Sequence, residues 1–270
     1  DRVPSRGHPA EPAGLSERAG RPRVLPRADG RVGAGFLPRP DQVAEAFVLK
    51  MIPVHVDGLT AYALGREGLQ TFPAGQVSLR GPVCWLTAEG RVPELVGAQD
   101  QVRPVGLIGA AGLTRPGAFI FLGEEVDGAV SPGLSGGQPV RLAHLTVPAD
   151  CSCPCGGRRH LAGLWALSSL KRQFGSEESL ASLWENREES GLAPIWGEAM
   201  TGLACAIASL ASLFGVQSVV LGGPVGELPD FCLEVGDWVY PLLGRPQRPG
   251  PAIEPWGGEE EFLMNARRAV

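Results

Sequence analysis

The sequence lacks the signatures of several common protein classes. It has no excess of positive charge, because its net charge is −5, and this argues against the bulk of the chain being a nucleic-acid surface. No P-loop signature (Gly-x-x-x-x-Gly-Lys-Ser/Thr) is present, which argues against a P-loop enzyme. The first forty residues contain no apolar run, so we do not expect them to be a secretory signal. What remains is a soluble globular protein of one large or two modest domains.

Residues 1–40 are poor in large apolar side chains and rich in arginine and proline. They contain eight arginines and seven prolines against four acidic residues. Such a segment buries little apolar surface when a protein folds, and we expect residues 1–40 to be a flexible basic linker. A solvated tail with no binding role is the alternative interpretation.

Residues 202–226 lie in the longest uncharged run and have the length of a membrane-spanning helix. Apolar residues recur there at helical spacing, Gly215 stands where a helix would end, and Ser218–Leu221 is typical of a short strand. The run therefore predicts a buried helix followed by a buried strand, with no membrane contact. We expect a cytoplasmic protein, and disulfide bonds are rare in that compartment.

Short apolar stretches in the first half predict strands, and longer stretches in the second half predict helices. The predicted strands are Phe47–Val56, Leu59–Leu64, Val77–Leu79, Val105–Ile108 and Ala118–Leu122. The predicted helices are Leu161–Phe174, Ser179–Arg187, Pro194–Phe214 and Glu259–Val270. This order favours an α/β protein of two lobes, which we place at residues 41–125 and 126–270.

Half of the six cysteines lie in residues 151–155, which read CSCPC. A reducing compartment and the short spacing argue against a disulfide bond, and no Cys-x-x-Cys redox pair is present. Thiolates and imidazoles in this pattern are ligands of tetrahedral zinc. We predict a zinc site made by His144, Cys153, Cys155 and His160, with Cys151 as an alternative ligand to His160. Ordinary thiols without a metal are the competing interpretation.

The same residues resemble the zinc motif of the ROK family (repressors, open reading frames and sugar kinases). That motif has a histidine, a spacer and then Cys-x-Cys-Gly-x-x-Gly-Cys, and His160 here matches the position of the third cysteine. The resemblance continues in GPVCWLTAEGRV (81–92), VDGAVSPGLSGGQPVRLAH (126–144), GLACAIASLASLFGVQSVVLGGPVGE (202–227) and LMNARRAV (263–270). It implies an α/β, two-lobed fold of the actin-like ATPase and ribonuclease H-like type, a structural zinc ion (Zn2+), a homodimer and a sugar or sugar-derived effector.

The residues that ROK sugar kinases use for catalysis are not matched here. In the family an Asp ahead of the central strand takes the proton from the sugar, whereas residues 103–117 contain no acid. The first phosphate-binding turn is matched loosely by VDGLT (56–60), and Glu124 and Glu125 would repel a polyphosphate. We expect Gly222 and Gly223 to be vestiges of a nucleotide site. The resulting prediction is a pseudokinase, not an enzyme, with no ATP bound.

The sugar-binding residues of the family are also altered. Two glutamates that bind sugar hydroxyls in the family correspond to Arg141 and Ala162 in this sequence. We predict that Arg141 and His144 contact the effector, and a cationic Arg141 would favour an acidic or phosphorylated one. A solvated surface position for Arg141 is the alternative.

The N-terminal segment resembles the linker of ROK repressors. Residues 17–36 contain its Gly-Arg-Pro sequence, and we expect Arg21 and Arg23 to enter an A·T-rich minor groove of DNA. DNA binding would also need a winged-helix domain, which these residues lack. The predicted function is the effector-binding and dimerisation module of a ROK-type transcriptional regulator. A diverged ROK sugar kinase, which transfers a phosphoryl group from ATP to a hexose, and a pseudoenzyme scaffold are the alternatives.

Overall fold

Ten β-strands in the described residues form two five-stranded sheets. The computed structural model describes residues 51–65, 68–74, 83–88, 100–133, 137–175, 178–244 and 250–269. The first sheet, in the order β3-β2-β1-β4-β5, contains β1 (Ile52–Asp57), β2 (Thr60–Gly65), β3 (Gly68–Pro73), β4 (Val83–Thr87) and β5 (Gln101–Pro104). The second sheet, in the order β10-β9-β6-β7-β8, contains β6 (Gly117–Leu122), β7 (Val126–Ser131), β8 (Gln138–Pro139), β9 (Ser218–Gly222) and β10 (Ala252–Pro255).

The first sheet combines an antiparallel hairpin with two parallel strands. β1 and β2 are antiparallel, and Gly58 in their turn has a φ of 58°, in the left-handed region that favours glycine. β4 lies parallel to β1 on its other side, and β5 lies parallel to β4. The central strand β1 is covered on both faces, because Val54 packs into one apolar cluster while the ring of His55 contacts Phe121 and Phe262.

The second sheet is centred on β6, all of whose residues are buried. β7 forms an antiparallel hairpin with β6, whereas β9 lies parallel to β6 on the other side and β10 lies parallel to β9. Since β6 and β9 are parallel, their C-terminal ends at Leu122 and Gly222 lie at the same edge of the sheet. This edge carries the candidate site.

Eight α-helices in the described residues connect the strands. α1 (Val105–Ala111) joins β5 to β6 and packs on the β6–β7 hairpin. Between β8 and β9 come α2 (Leu161–Trp165), α3 (Leu167–Phe174), α4 (Leu180–Glu185) and α5 (Ala193–Phe214). The remaining helices are α6 (Gly223–Gly226), α7 (Phe231–Leu242) and α8 (Gly258–Ala269).

α5 is long and apolar enough, by length and composition, to cross a membrane. Its residues Leu203, Ile207 and Leu210 are instead buried in the main apolar core beside the second sheet. Gly215 ends the helix in the left-handed conformation, and β9 starts three residues later. The helix and strand predicted within residues 202–226 are therefore confirmed.

Three of the six tryptophans form one aromatic cluster in this core. The ring centroids of Trp184 and Trp196 are 5.1 Å apart, those of Trp165 and Trp196 are 6.1 Å apart, and Phe231 contacts Trp165 and Trp184. The indole N–H of each ring donates to a backbone carbonyl oxygen: Trp184 to Pro229, Trp196 to Leu183 and Trp165 to Ala199. The rings are thus buried without an unpaired indole N–H, and they hold α2, α4, α5 and α7 together.

Two secondary-structure predictions are wrong. The run Val105–Ile108 is helical, because Gly106 and Gly109 let α1 lie directly on the backbone of Gly128 and the ring of Phe119. The predicted helix Leu161–Phe174 is two helices, since Ala166 between them is extended, with φ −64° and ψ 133°. Periodicity alone does not separate a strand from a helix in so short an apolar run as the first.

The predicted boundary between residues 125 and 126 falls in the turn between β6 and β7. Because β6 pairs with β7, both strands belong to the second sheet, which therefore begins at Gly117 and not at residue 126. The predicted linker 1–40, with Arg21 and Arg23, and the predicted strand Val77–Leu79 lie outside the described residues.

Candidate metal centre and adjoining pocket

A folded-back loop positions the predicted metal ligands. The chain leaves a short 3-10 helix, Leu142–His144, and returns so that Thr146 pairs with His160 in an isolated β-bridge. Within the loop, the N–H of Cys153 donates to the carbonyl oxygen of Gly157 at 2.9 Å, which closes a tight turn. Backbone hydrogen bonds therefore help to shape the loop.

The loop brings His144, Cys153, Cys155 and His160 into one cluster. Their ligand atoms all lie within 4.8 Å of one another, and Sγ of Cys155 is 3.4 Å from Nδ1 of His160. Four donors bound to zinc at about 2.0–2.3 Å lie roughly 3.3–3.8 Å apart at the corners of a tetrahedron. Two thiols and two imidazoles at these separations fit zinc after a small contraction. All four positions would be filled by the protein, as in structural zinc sites.

Cys151 lies beside this cluster and is not one of its members. Its Sγ donates to the carbonyl oxygen of His160 at 3.5 Å. Burial raises the pKa of Cys151 and that of Cys153, so both thiols resist ionisation unless a cation is near. Metal binding would supply that cation to Cys153, whose Sγ faces the other ligands. In the structure it is therefore His160, not Cys151, that completes the group of four.

A pocket of about 160 Å³ adjoins the metal cluster. Glu124 and Glu125, in the turn between β6 and β7, give it an acidic wall, and His144 also lines it. Its other lining residues are Val126, Ala143, Cys153, Pro154, Cys155, Ala162, Ala166 and Ser168. Drug-sized ligands occupy pockets of about 300–1,000 Å³, so this one suits a smaller ligand such as a single sugar ring. Arg141 is exposed and is not among the lining residues.

A larger cavity, of about 570 Å³, lies at the opposite edge of the second sheet. Val216 and Ala252, at the starts of β9 and β10, line it together with Arg115. Arg115 is the charged residue among the described residues that line it, and its guanidinium group is paired with Glu254. The described residues that line this cavity include no acid and no metal ligand, so we place the candidate chemistry at the smaller pocket.

The turn after β1 contacts the turn after β6 directly. Oδ1 of Asp57 accepts the N–H of Glu124 at 2.8 Å. A Cβ at Gly123 would lie 2.6 Å from Oδ2 of Asp57, so glycine is needed for this approach. Burial raises the pKa of Asp57 from 3.8 to about 6, and it outweighs the attraction of His55 and the hydrogen bond from Glu124. The loose sequence match VDGLT thus contributes a half-buried carboxyl group that contacts Glu124, a lining residue of the pocket.

Gly222 and Gly223 lie at the end of β9. Gly223 has a φ of 83°, and a Cβ there would lie 2.5 Å from the carbonyl oxygen of Leu122. A side chain would therefore prevent the turn after β9 from approaching the end of β6. The turns after β1, β6 and β9 therefore lie next to one another.

A carboxylate from β7 reaches the start of α1, although residues 103–117 contain no acid. Oδ2 of Asp127 accepts the N–H of Gly106, and Oδ1 accepts the N–H of Gly128, both at 2.8 Å. Asp127 is 4% exposed. Because both oxygens accept backbone N–H groups, Asp127 stabilises the start of the helix and does not face the pocket.

Comparisons with known proteins give matches in structure only. No protein-family model matches the chain, and no curated protein matches its sequence. A ROK hexokinase from Thermus thermophilus matches with a TM-score of 0.61 and 18% identity, over 81% of this chain and 97% of that one. A ROK family glucokinase from Streptomyces griseus, in complex with glucose and AMPPNP, matches with a TM-score of 0.62 and 14% identity, over 82% and 98%.

The chain has the ROK fold. The predicted fold class, an actin-like α/β fold of two lobes, is therefore confirmed. The ROK fold is also that of a ROK family transcriptional regulator described as a homologue of the E. coli MLC protein, with a TM-score of 0.51 and 9% identity over 80% of this chain and 76% of that one. The regulator role stays a prediction, and its DNA contacts Arg21 and Arg23 lie outside the described residues.

The prediction that the chain is not an enzyme is contradicted by these comparisons. Most of the similar structures with the ROK fold are sugar kinases, hexokinase and glucokinases among them. The prediction relied on the acid-free residues 103–117 and on the altered phosphate-binding turns, whereas folding brings Glu124 and Glu125 to the pocket. Their signal in the sequence is an acidic pair directly after a predicted strand. The expected absence of ATP relied on the same reasoning and is not retained.

Proposed function

We propose that the chain is a ROK-type sugar kinase whose proton acceptor comes from the turn after β6. The observation that carries this proposal is the small pocket that adjoins both the His/Cys cluster and the acidic pair Glu124 and Glu125. The prevalence of sugar kinases among similar structures supports it. The pocket would hold one sugar, with carboxylate and imidazole groups in reach of its hydroxyls.

In the proposed reaction a sugar hydroxyl gives its proton to a carboxylate while its oxygen bonds the terminal phosphorus of ATP. The bond from that phosphorus to the bridging oxygen breaks, and ADP leaves. We favour Glu125 as the acceptor, because the side chain of Glu124 lies against the turn at Gly58. A magnesium ion bound with the nucleotide would offset the repulsion between its phosphates and the two glutamates.

We further propose that zinc is the metal of the His/Cys cluster and that its role is structural. Bound zinc would cross-link the loop that follows His144 to the start of α2, which His160 precedes. All six cysteines are free, which supports a reducing, cytoplasmic location. The homodimer implied by the resemblance stays a prediction.

The function is tested by incubating zinc-loaded protein with ATP, magnesium and single hexoses, and by detecting sugar phosphate with mass spectrometry. We expect at least one hexose to be phosphorylated, and Glu125→Gln to lower its turnover by about 10²–10⁴-fold. Glu185→Gln, an exposed residue of α4, is the matched control and should keep full turnover. Sugars that raise the melting temperature without forming any product would contradict the kinase and leave a sugar-binding protein.

A further inference from the structure

The carboxyl group of Asp57 accepts a hydrogen bond from the backbone N–H of Glu124, in the turn after β6. Asp57 ends β1 of the first sheet and Glu124, 67 residues later, lies in the turn between β6 and β7 of the second, yet Oδ1 of Asp57 accepts the N–H of Glu124 at 2.8 Å. The surrounding contacts are just as close. A Cβ at Gly58 would lie 2.6 Å from Cγ of Glu124, so the two turns are in direct contact.

A second hydrogen bond, from α3 beside the pocket, also holds the turn after β6. The N–H of Leu167, at the start of α3, donates to the carbonyl oxygen of Gly123 at 2.9 Å. Glu124 and Glu125, the next two residues, form the acidic wall of the pocket. A movement of this turn away from Asp57 would therefore move that wall.

We propose that the carboxylate of Asp57 holds the turn after β6 in place by accepting the N–H of Glu124, and we call this hydrogen bond the latch. The carboxylate must release that N–H before a phosphate oxygen of the nucleotide can accept the same N–H. Backbone N–H groups in such turns bind phosphates, and a carboxylate competes with a phosphate for the same donor. The inference rests on the proposed kinase function, because the phosphates of the nucleotide are the competing anion.

Charged and titratable groups from four elements surround Asp57. His55 of β1 attracts the carboxylate, whereas Glu124 of the turn and Glu259 of α8 repel it, and Tyr62 of β2 is also near. Burial has the largest effect and raises the pKa of Asp57 to about 6. Above that pH the carboxylate accepts a charge-assisted hydrogen bond, and below it the neutral acid accepts one roughly half as strong. The latch is therefore stronger at about pH 8 than at about pH 5.

Hydrogen exchange of the Glu124 amide, measured by NMR on the full chain without ligand, tests the latch. In Asp57→Ala we expect exchange at least about tenfold faster than in the wild type, because a charged acceptor is lost. In the wild type, protection corrected for intrinsic exchange should fall as the pH drops through about 6, and in Asp57→Asn it should not change with pH. Asp100→Asn is the matched control, since Asp100 accepts the N–H of Val83 away from this turn.

Unchanged exchange in Asp57→Ala would overturn the latch. If that variant does not fold, the pH series of the wild type and Asp57→Asn decides the same point, and a flat wild-type series overturns the proposal. Calorimetry with ATP and magnesium tests the competition, and we expect several-fold tighter binding to Asp57→Ala. Equal or weaker binding would overturn the competition. If neither protein binds ATP while exchange still follows Asp57, the kinase function fails and the latch is upheld.

Discussion

At the scale of single residues, the half-buried carboxyl group of Asp57 makes stability depend on pH. Its pKa rises from 3.8 to about 6 on folding, so the folded state binds the proton more tightly than the unfolded chain. This contribution to stability is fully present below about pH 4 and is lost as the pH rises through about 6.

We therefore expect Asp57→Asn, which removes the buried charge, to increase the free energy of unfolding at about pH 8 by on the order of 2 kcal/mol. The gain should shrink as the pH falls toward 5, where the wild-type carboxyl group is protonated. Urea unfolding at several pH values measures both effects. A variant less stable than the wild type at about pH 8 would contradict the stated direction.

The fourth metal ligand is also decided by single residues. We expect His160→Ala to lower the bound zinc well below one ion per chain and to lower the melting temperature, because one corner of the tetrahedron is lost. Cys151→Ser is the control, and it should keep its zinc because Cys151 lies outside the group of four. Metal analysis by mass spectrometry measures both, and full zinc content in His160→Ala would point to another ligand.

At the scale of elements, the start of α1 depends on a residue of another strand. Its N-cap residue Pro104 makes no side-chain cap, and the carboxylate of Asp127 accepts the N–H of Gly106 instead. We expect Asp127→Ala to destabilise the protein by roughly 1–3 kcal/mol for each buried N–H left unpaired. Asp127→Asn, which keeps one acceptor oxygen, should lose less. Chemical unfolding compares the three proteins, and equal losses in both variants would show that the N–H groups are not what Asp127 stabilises.

Elements with local signals could be predicted from the sequence, and those that depend on distant contacts could not. α5 and β9 were predictable because helical spacing, Gly215 and a β-branched strand lie within one stretch. α1 was not, since what makes Val105–Ile108 helical is the fit of Gly106 and Gly109 against the β6–β7 hairpin. The His/Cys group was predictable because its members are close in sequence. The contact of Asp57 with Glu124 joins two sheets and has no local pattern.

At the scale of the whole molecule, α8 connects the two sheets. Phe262 in this helix is 5% exposed and contacts His55 of the first sheet and Phe119 of the second. In the same helix, Oε1 of Glu259 lies 2.8 Å from Nδ1 of His55. The packing of one helix against both sheets therefore contributes to the stability of both lobes.

We expect Phe262→Ala to destabilise the protein by about 3–5 kcal/mol, because it opens a cavity between the sheets. Met264→Ala, at a position of the same helix that is 45% exposed, should change stability by less than about 1 kcal/mol. Thermal and urea unfolding measure both variants. Similar losses in the two would mean that helix propensity, and not the contact between sheets, is what α8 contributes.

The tryptophan cluster should give the lobe that contains the second sheet its own near-ultraviolet circular dichroism signal. Trp165, Trp184 and Trp196 are locked together beside the second sheet, whereas the first sheet contains Trp85 alone among the six tryptophans. Near-ultraviolet circular dichroism reports aromatic rings held in fixed packing, so its signal here should come mainly from the lobe that carries the metal loop. These tryptophans thus provide a label-free probe of whether a chelator that removes metal from the His/Cys cluster loosens the packing of this lobe.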